Sequence, residues 1–139
     1  MLKNSLLMLA RLGLSMPFIL FGFRKLTGPD NIYGMIESVG LPGWLVWPAG
    51  AFQLIAGTMI LLGLYTRVAA PALAVFCVMA PAIFHSNFSD ISELSAFTKD
   101  MAAAGGFIFL AFHGPGRFSL DHAVRYASLH PEAAVAHRI

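Results

Sequence analysis

Four apolar stretches separated by short polar segments set the pattern of this chain. They cover residues 6–23, 41–64, 68–84 and 101–112. A helix needs about 17–25 mostly apolar residues to cross the hydrocarbon core of a bilayer. The first three stretches reach that length, and each therefore predicts one membrane-spanning helix.

The fourth apolar stretch is too short to span a membrane alone, because only residues 101–112 are free of charge. Its helix must begin near residues 92–96, and this start places Lys99 and Asp100 inside the span. The sequence Gly114-Pro115-Gly116 ends the helix. The second and third spans are joined by a tight link, which predicts that they are antiparallel neighbours.

The composition agrees with a membrane protein. Of the 139 residues, 58% are apolar and 12% are charged, against about 45–50% and about 25% in soluble domains. So little charge excludes a disordered chain, a coiled coil and a nucleic-acid-binding module. The single cysteine, Cys77, excludes an intramolecular disulfide and is typical of a small buried hydrophobe. We predict an all-α integral membrane four-helix bundle over residues 1–121 and a short amphipathic, polar tail over 122–139.

Basic residues fall unequally on the two sides of the predicted spans. One side holds Lys3, Arg67, Arg117, Arg125 and Arg138. The other side holds Arg24, Lys25 and Lys99, together with most of the acidic residues. Because loops rich in Lys and Arg stay on the cytoplasmic side, both termini and the tail are predicted to be cytoplasmic.

Each predicted span has one face of small and polar residues at spacings of three and four. Such residues mark the contacts between helices in lipid, where hydrophobic attraction between helices is weak. The four stripes are Arg11, Ser15, Phe18, Gly22 and Lys25; Gly50, Gln53 and Gly57; Ala70, Ala74, Cys77, Pro81 and His85; and Lys99, Ala102, Gly106, Phe109 and His113.

The basic residues within the spans leave two interpretations open. An ionisable side chain at membrane depth costs about 2.5 kcal/mol or more unless it reaches water or a partner. Arg11, Lys25 and Lys99 could each snorkel to the headgroups. Alternatively, the stripes enclose a shared polar cavity lined by Lys25, His85 and Lys99, near Asp100.

In the cavity interpretation, Lys99 is expected to face the interior of the bundle. Asp100 then points about 100° away around the helix. The expected partner of the Lys99 ammonium is Glu93, Asp90 or a ligand.

The histidines do not form a metal-binding pattern. His85 and His113 lie at opposite ends of antiparallel spans, and His122, His130 and His137 lack the carboxylate arrangement of a closed site. No catalytic triad spacing, phosphate-binding loop or dinucleotide fingerprint occurs. We expect no metal site and no intrinsic cofactor.

The segment after the fourth span predicts a short surface helix running through Arg125. Ser119 is expected to cap this helix by accepting a hydrogen bond from a free backbone amide. Asp121 then lies in the first turn, where its charge complements the helix dipole.

Several short segments carry a family likeness through their order and spacing. They are Leu9-Ala10-Arg11-Leu12, Phe21-Gly22-Phe23-Arg24-Lys25-Leu26, Gly40-Leu41-Pro42, Leu62-Gly63-Leu64-Tyr65-Thr66-Arg67, His85, Lys99 and Gly114-Pro115-Gly116-Arg117-Phe118-Ser119-Leu120-Asp121. Together they resemble the DoxX family of small four-helix bacterial membrane proteins. The resemblance implies a multi-pass protein of the bacterial cytoplasmic (inner) membrane.

The chain departs from the family pattern at three positions. Phe21 stands where the family often has histidine, Gln53 where it usually has glutamate, and Asp100 where asparagine is usual. The first two changes remove an imidazole and an acid from the bundle. The resemblance therefore assigns no catalytic residue, and whether the chain is an enzyme stays open.

The resemblance implies redox chemistry at the membrane, since some relatives are subunits of a thiosulfate:quinone oxidoreductase and others are linked to quinone resistance. We expect a subunit or accessory of such a quinone-linked system, which binds a small molecule such as a quinone in its bundle. The expected partners are the bilayer and a redox subunit or a second copy of the chain. The candidate ligand-binding residues are Arg11, Lys25, Gln53, His85 and Lys99, with Phe18 and Phe109 packing against a ring.

Two further functions stay open. The chain could be a non-enzymatic scaffold or assembly subunit of a larger complex, or a small transporter. No inverted repeat, the usual mark of a transporter, is evident. A co-purifying quinone favours ligand binding, whereas a co-purifying protein favours the scaffold.

The predicted orientation is tested by labelling a reporter cysteine in intact cells. On a Cys77→Ala background, a cysteine placed after Asp121 should be protected from a membrane-impermeant reagent, because the tail is predicted to be cytoplasmic. Labelling of that cysteine from the periplasmic side would overturn the assignment.

Overall fold

The computed structural model describes residues 1–129, which form six α-helices and one short 3-10 helix without a strand. The α-helices are α1 (Leu2–Thr27), α2 (Asp30–Ser38), α3 (Val46–Leu62), α4 (Thr66–Phe84), α5 (Ile91–His113) and α6 (Leu120–Leu129), and the 3-10 helix Gly43–Leu45 leads directly into α3. Four segments are long and apolar enough to cross a membrane: α1, the 3-10 helix with α3, α4 and α5. The predicted all-α fold with four spans is confirmed.

The four spans pack as two close pairs. α1 packs most extensively against α3, and α4 against α5, whereas the contact between α3 and α4 is smaller although they are neighbours in the chain. Glycines bring the first pair together. A Cβ atom at Gly22 would lie 2.6 Å from the backbone nitrogen of Leu54 and 2.8 Å from the carbonyl oxygen of Gly50. The backbones of α1 and α3 therefore meet at the small residues of the stripes predicted for these two spans.

Three of the four predicted inner faces are confirmed. The buried residues of α1 include Arg11, Ser15, Phe18 and Gly22; those of α3 include Gly50, Gln53 and Gly57; and those of α4 include Ala70, Ala74, Cys77 and Pro81.

The predicted inner face of α5 is wrong. Its buried residues are Ala104, Phe107 and Leu110, whereas Lys99 and Phe109 are exposed. Phe107 is fully buried and meets Phe18 edge to face, with ring centroids 5.2 Å apart. Apolar residues lie on every side of α5 between residues 101 and 112. The positions of its small residues therefore did not indicate which side carries the large core residues.

The bundle has two different ends, which we call the α6 end and the α2 end after the short helix at each. At the α6 end, Arg11 is only 3% exposed. Its Nη1 donates a hydrogen bond to the Pro115 carbonyl at 3.0 Å, and its Nη2 donates one to the Phe118 carbonyl at 2.6 Å. A side chain of α1 therefore fixes the chain that leaves α5.

The segment held by Arg11 also caps a neighbouring helix. The Asp121 carboxylate accepts hydrogen bonds from the backbone amides of Tyr65, at 2.8 Å, and Thr66, at 3.1 Å, where α4 begins. The Asp121 amide donates to the Gly63 carbonyl at 2.9 Å. Gly63 has a φ of +67°, and a Cβ there would overlap the Arg11 guanidinium and the side chain of Ser119. Only glycine fits this junction.

The predicted helix cap at Ser119 is confirmed. Its Oγ accepts a hydrogen bond from the His122 amide at 3.2 Å and donates one to the Gly116 carbonyl at 2.6 Å. α6 begins at Leu120, so the predicted boundary between residues 121 and 122 falls inside this helix. Residues 130–139 of the predicted tail lie outside the described part of the chain.

We expect Arg11→Met to lower the thermal stability of the bundle. The change removes two charge-assisted hydrogen bonds to backbone carbonyls, each of which contributes about 1.5–3 kcal/mol. Thermal unfolding in detergent, followed by size-exclusion chromatography, measures the loss. Arg67→Met is the matched control, because Arg67 lies at the same end and is exposed. Equal melting temperatures for the two variants would contradict a structural role for Arg11.

Candidate ligand-binding cavity

A cavity of about 1090 Å³ opens between the helices at the α2 end. This volume matches the largest small-molecule sites, which span about 300–1,000 Å³. All four spans and α2 contribute to its wall. The lining residues are Phe18, Phe21, Arg24, Lys25, Gly28, Asn31, Ile32, Met35, Ile36, Leu41, Leu45, Val46, Pro48, Ala49, Phe52, Gln53, Ala72, Val75, Phe76, Cys77, Met79, Ala80, Ile83, Phe84, His85, Ala96, Lys99 and Asp100.

Lys25 and Gln53 form a polar site in this mostly apolar wall. The Lys25 Nζ donates a hydrogen bond to the Gln53 Oε1 at 2.6 Å and lies 5.7 Å from the centroid of the Phe76 ring. Helical side chains lean toward the amino terminus of their helix. For Lys25, near the carboxyl end of α1, this direction leads into the bundle, so its ammonium turns inward to Gln53.

The Gln53 side chain keeps its amide group available. Gln53 is 94% buried, since its residue exposure is 6%. Lysine can only donate, so the oxygen of the Gln53 amide must face Lys25 and the NH₂ group must point elsewhere. Within residues 1–129 that NH₂ group donates no hydrogen bond. The cavity wall therefore carries an amide donor that no described residue uses, beside a lysine ammonium that can donate further hydrogen bonds.

Acidic groups approach the cavity from α5. Asp100 is half-buried, lines the cavity and interacts electrostatically with His85, Lys99 and Lys25. The His85 Nδ1 lies 3.1 Å from the Glu93 Oε2. Asp100 thus supplies an acid to the cavity that Lys25 lines, although Gln53, which stands where the family usually has glutamate, is uncharged.

The two carboxylates predicted as partners of Lys99 have other partners, and a ligand as its partner stays a prediction. Glu93 pairs with His85, and Asp90 caps α5 by accepting a hydrogen bond from the Ser92 amide at 2.7 Å. Lys99 is exposed because α5 begins at the α2 end, and its side chain therefore leans toward that end of the bundle. Asp100, which was expected to point away, is the more buried of the two.

The structure brings together four of the five predicted ligand-binding residues. Lys25, Gln53, His85 and Lys99 line the cavity. Arg11 lies at the α6 end, where carbonyl oxygens hold its guanidinium. Of the two aromatic residues expected to hold a ring, Phe18 lines the cavity, but Phe109 is exposed and stacks on His113.

Sequence reasoning missed the contribution of α2 to this site. Ile32 and Ile36 line the cavity, and Ile36 is only 5% exposed. The spacing of Ile32, Met35 and Ile36 is that of an amphipathic helix, and this was the available signal. Phe76 was also missed, because no polar residue marks its side of α4.

Residues 1–129 contain no group of three or more His, Cys, Asp or Glu side chains that could hold a metal ion. His130 and His137 lie outside these residues, so the expectation of no metal site stays a prediction. Cys77 is 1% exposed and lies in the cavity wall among apolar residues.

Comparison with known proteins gives a family and several relatives. The DoxX family model matches residues 6–86. The inner membrane protein YqjF of Escherichia coli is 33% identical over 114 residues, which are 82% of this chain and 88% of the relative. The inner membrane protein YphA of the same organism is 32% identical over 124 residues, covering 84% and 88%. The membrane protein Rv3486 of Mycobacterium tuberculosis is 33% identical over 124 residues, covering 80% and 76%. No solved structure matches the chain.

We expect Lys25→Met to destabilise the protein while Lys99→Met leaves it unchanged. Removing the Lys25 ammonium leaves the Gln53 oxygen without its donor and removes one of the positive charges that act on Asp100, at a cost of about 1–3 kcal/mol. Lys99 is exposed, so its loss changes little. Melting temperatures in detergent distinguish the two, and Asp100→Asn on the Lys25→Met background should restore part of the loss. A larger effect at Lys99 would contradict this arrangement.

Proposed function

We propose that this chain, which belongs to the DoxX family, binds a quinone or a related aromatic carbonyl compound in its cavity and serves a membrane redox system. The observation that carries the proposal is the unused Gln53 amide beside the Lys25 ammonium. A ligand oxygen that accepts a hydrogen bond from this amide gains about 0.5–1.5 kcal/mol. A quinone carbonyl is such an acceptor.

The charges near the polar site favour a neutral ligand over an anion. Asp100 lines the same cavity as Lys25 and interacts with it electrostatically. A carboxylate ligand would meet this acid as well as the ammonium, whereas a carbonyl oxygen accepts hydrogen bonds without adding charge. The polar site therefore suits an uncharged acceptor.

The rest of the wall suits an aromatic ring. Phe18 and Phe76 line the cavity, and aromatic rings pair favourably in offset or edge-to-face arrangements. Apolar walls with a few convergent polar groups are the usual form of small-molecule sites. In this proposal Lys25 and Gln53 orient the carbonyl, and the two phenylalanines hold the ring.

We assign binding to this chain and electron transfer to the bound quinone together with a partner redox subunit, since cofactors carry such chemistry while the protein positions them. The partner could also be a second copy of the chain. We place the protein in the bacterial inner membrane with both termini cytoplasmic. The two Escherichia coli relatives are named as inner membrane proteins, which supports this location. The cavity then opens in the periplasmic half of the bilayer.

The proposal is tested by the small molecules that the protein retains on purification. We expect lipid extracts of the detergent-purified protein to contain a quinone at near-equimolar amounts by mass spectrometry. Gln53→Leu keeps the side chain's size and removes the donor, so it should lower the retained quinone about tenfold, or about 1.4 kcal/mol. Thr58→Val, at an exposed position outside the cavity, should leave it unchanged.

Two outcomes would contradict the proposal. Equal quinone content in the wild type and in a folded Gln53→Leu variant would show that the quinone comes from bulk lipid. Absence of quinone together with a stoichiometric co-purifying protein would favour the non-enzymatic scaffold instead.

A further inference from the structure

We propose that the cavity takes its ligand sideways from the bilayer, past α4, and that the ligand is an amphiphile whose hydrocarbon tail remains in lipid. This inference rests on the proposed function and adds the route of entry and the class of ligand. It depends on three features of the cavity: an exposed stripe on α4, a roof made by α2, and a volume larger than one ring requires.

The stripe on α4 opens the cavity to lipid. Val75, Met79 and Ile83 line the cavity and are 57%, 57% and 41% exposed. They are spaced four residues apart and extend about 12 Å along the helix. α4 is one of the four spans, so this exposed apolar surface faces hydrocarbon. The cavity is thus continuous with the bilayer along much of one helix.

The roof separates much of the cavity from the water beyond the α2 end. α2 lies outside the four spans, and its Ile32 and Ile36 face the cavity. The helix is anchored to α3, because the Trp47 Nε1 donates a hydrogen bond to the Tyr33 Oη at 2.8 Å. The Tyr33 ring also packs against Gly43 so closely that a Cβ there would collide with it. Moving α2 to admit a ligand from water would break these contacts, whereas entry past α4 breaks none of them.

The volume leaves room for more than a head group. A cavity of about 150 Å³ is enough to hold a benzene ring, whereas this one measures about 1090 Å³. The lining reaches from Phe84 to Ala72 on α4, a length of about 18 Å. A ring held at Lys25 and Gln53 fills a small part of this space, and a chain running along Met79 and Val75 fills the rest.

The test compares two quinones that share one head group. Ubiquinone-0 has no tail, and decylubiquinone carries a ten-carbon chain. Met79→Trp narrows the exposed stripe, and Val78→Trp is the matched control, since Val78 is a lipid-exposed residue of α4 outside the cavity wall. Dissociation constants are measured in one detergent, so that partition of each quinone into micelles cancels between variants. Monodisperse elution and an unchanged circular dichroism spectrum confirm that each variant is folded.

We expect Met79→Trp to weaken decylubiquinone binding at least tenfold and to change ubiquinone-0 binding less than twofold, while Val78→Trp changes neither. Equal weakening of both quinones, or no effect of a folded Met79→Trp variant, would show that the tail does not lie along the exposed stripe of α4. That result would remove the basis of the sideways entry and leave the proposed function standing. Failure of the wild type to bind either quinone would overturn the proposed function, and this inference with it.

Discussion

A buried arginine that binds backbone carbonyls is the interaction on which the rest of the structure depends. Arg11 reaches from α1 to the chain that leaves α5, and Asp121 of the same chain caps the start of α4. Three spans are therefore tied together at one end by hydrogen bonds between residues far apart in the chain. Hydrophobic attraction does little to hold helices together in lipid, so a polar junction of this kind determines where they meet.

The opposite end uses the same kind of residue differently. Lys25 lies on the same face of α1 as Arg11, about 21 Å farther along the axis. The Arg11 guanidinium has two carbonyl partners, whereas the Lys25 ammonium has one amide oxygen, and the NH₂ group of that amide donates to no described residue. The α6 end is tied by the hydrogen bonds of Arg11 and Asp121, although the Arg11 Nε and the Thr66 Oγ1 have no partner among the described residues. The α2 end keeps donors for a ligand. The close packing of α1 on α3 at Gly22 and Gly50 lies beside Lys25.

Much of this arrangement could be predicted from single residues. Arg11, Gln53 and His85 each stood out because polar side chains are costly in a membrane and need a partner. The prediction of the inner face failed on α5. Lys99 and Asp100 are adjacent there, and a rotation of about 100° around the helix axis exchanges the directions of their side chains. The sequence also did not indicate that Arg11 lies away from the cavity that the other four candidates line. The partners of Arg11 are the backbone carbonyls of Pro115 and Phe118, which every residue type carries and which leave no mark in a sequence.

The sequence by itself determined the number of spans, the inner faces of α1, α3 and α4, and the capping of α6 by Ser119, because each follows from local periodicity or from a hydrogen bond within one turn. Only the tertiary structure decided that α1 pairs with α3 and α4 with α5, that Asp121 caps α4, and that α2 covers a cavity. These features join residues far apart in the chain. Their stability depends on how closely the surfaces fit and on hydrogen bonds to backbone groups. Hydrophobic periodicity indicates which face of a helix is buried, but not which neighbouring helix covers that face.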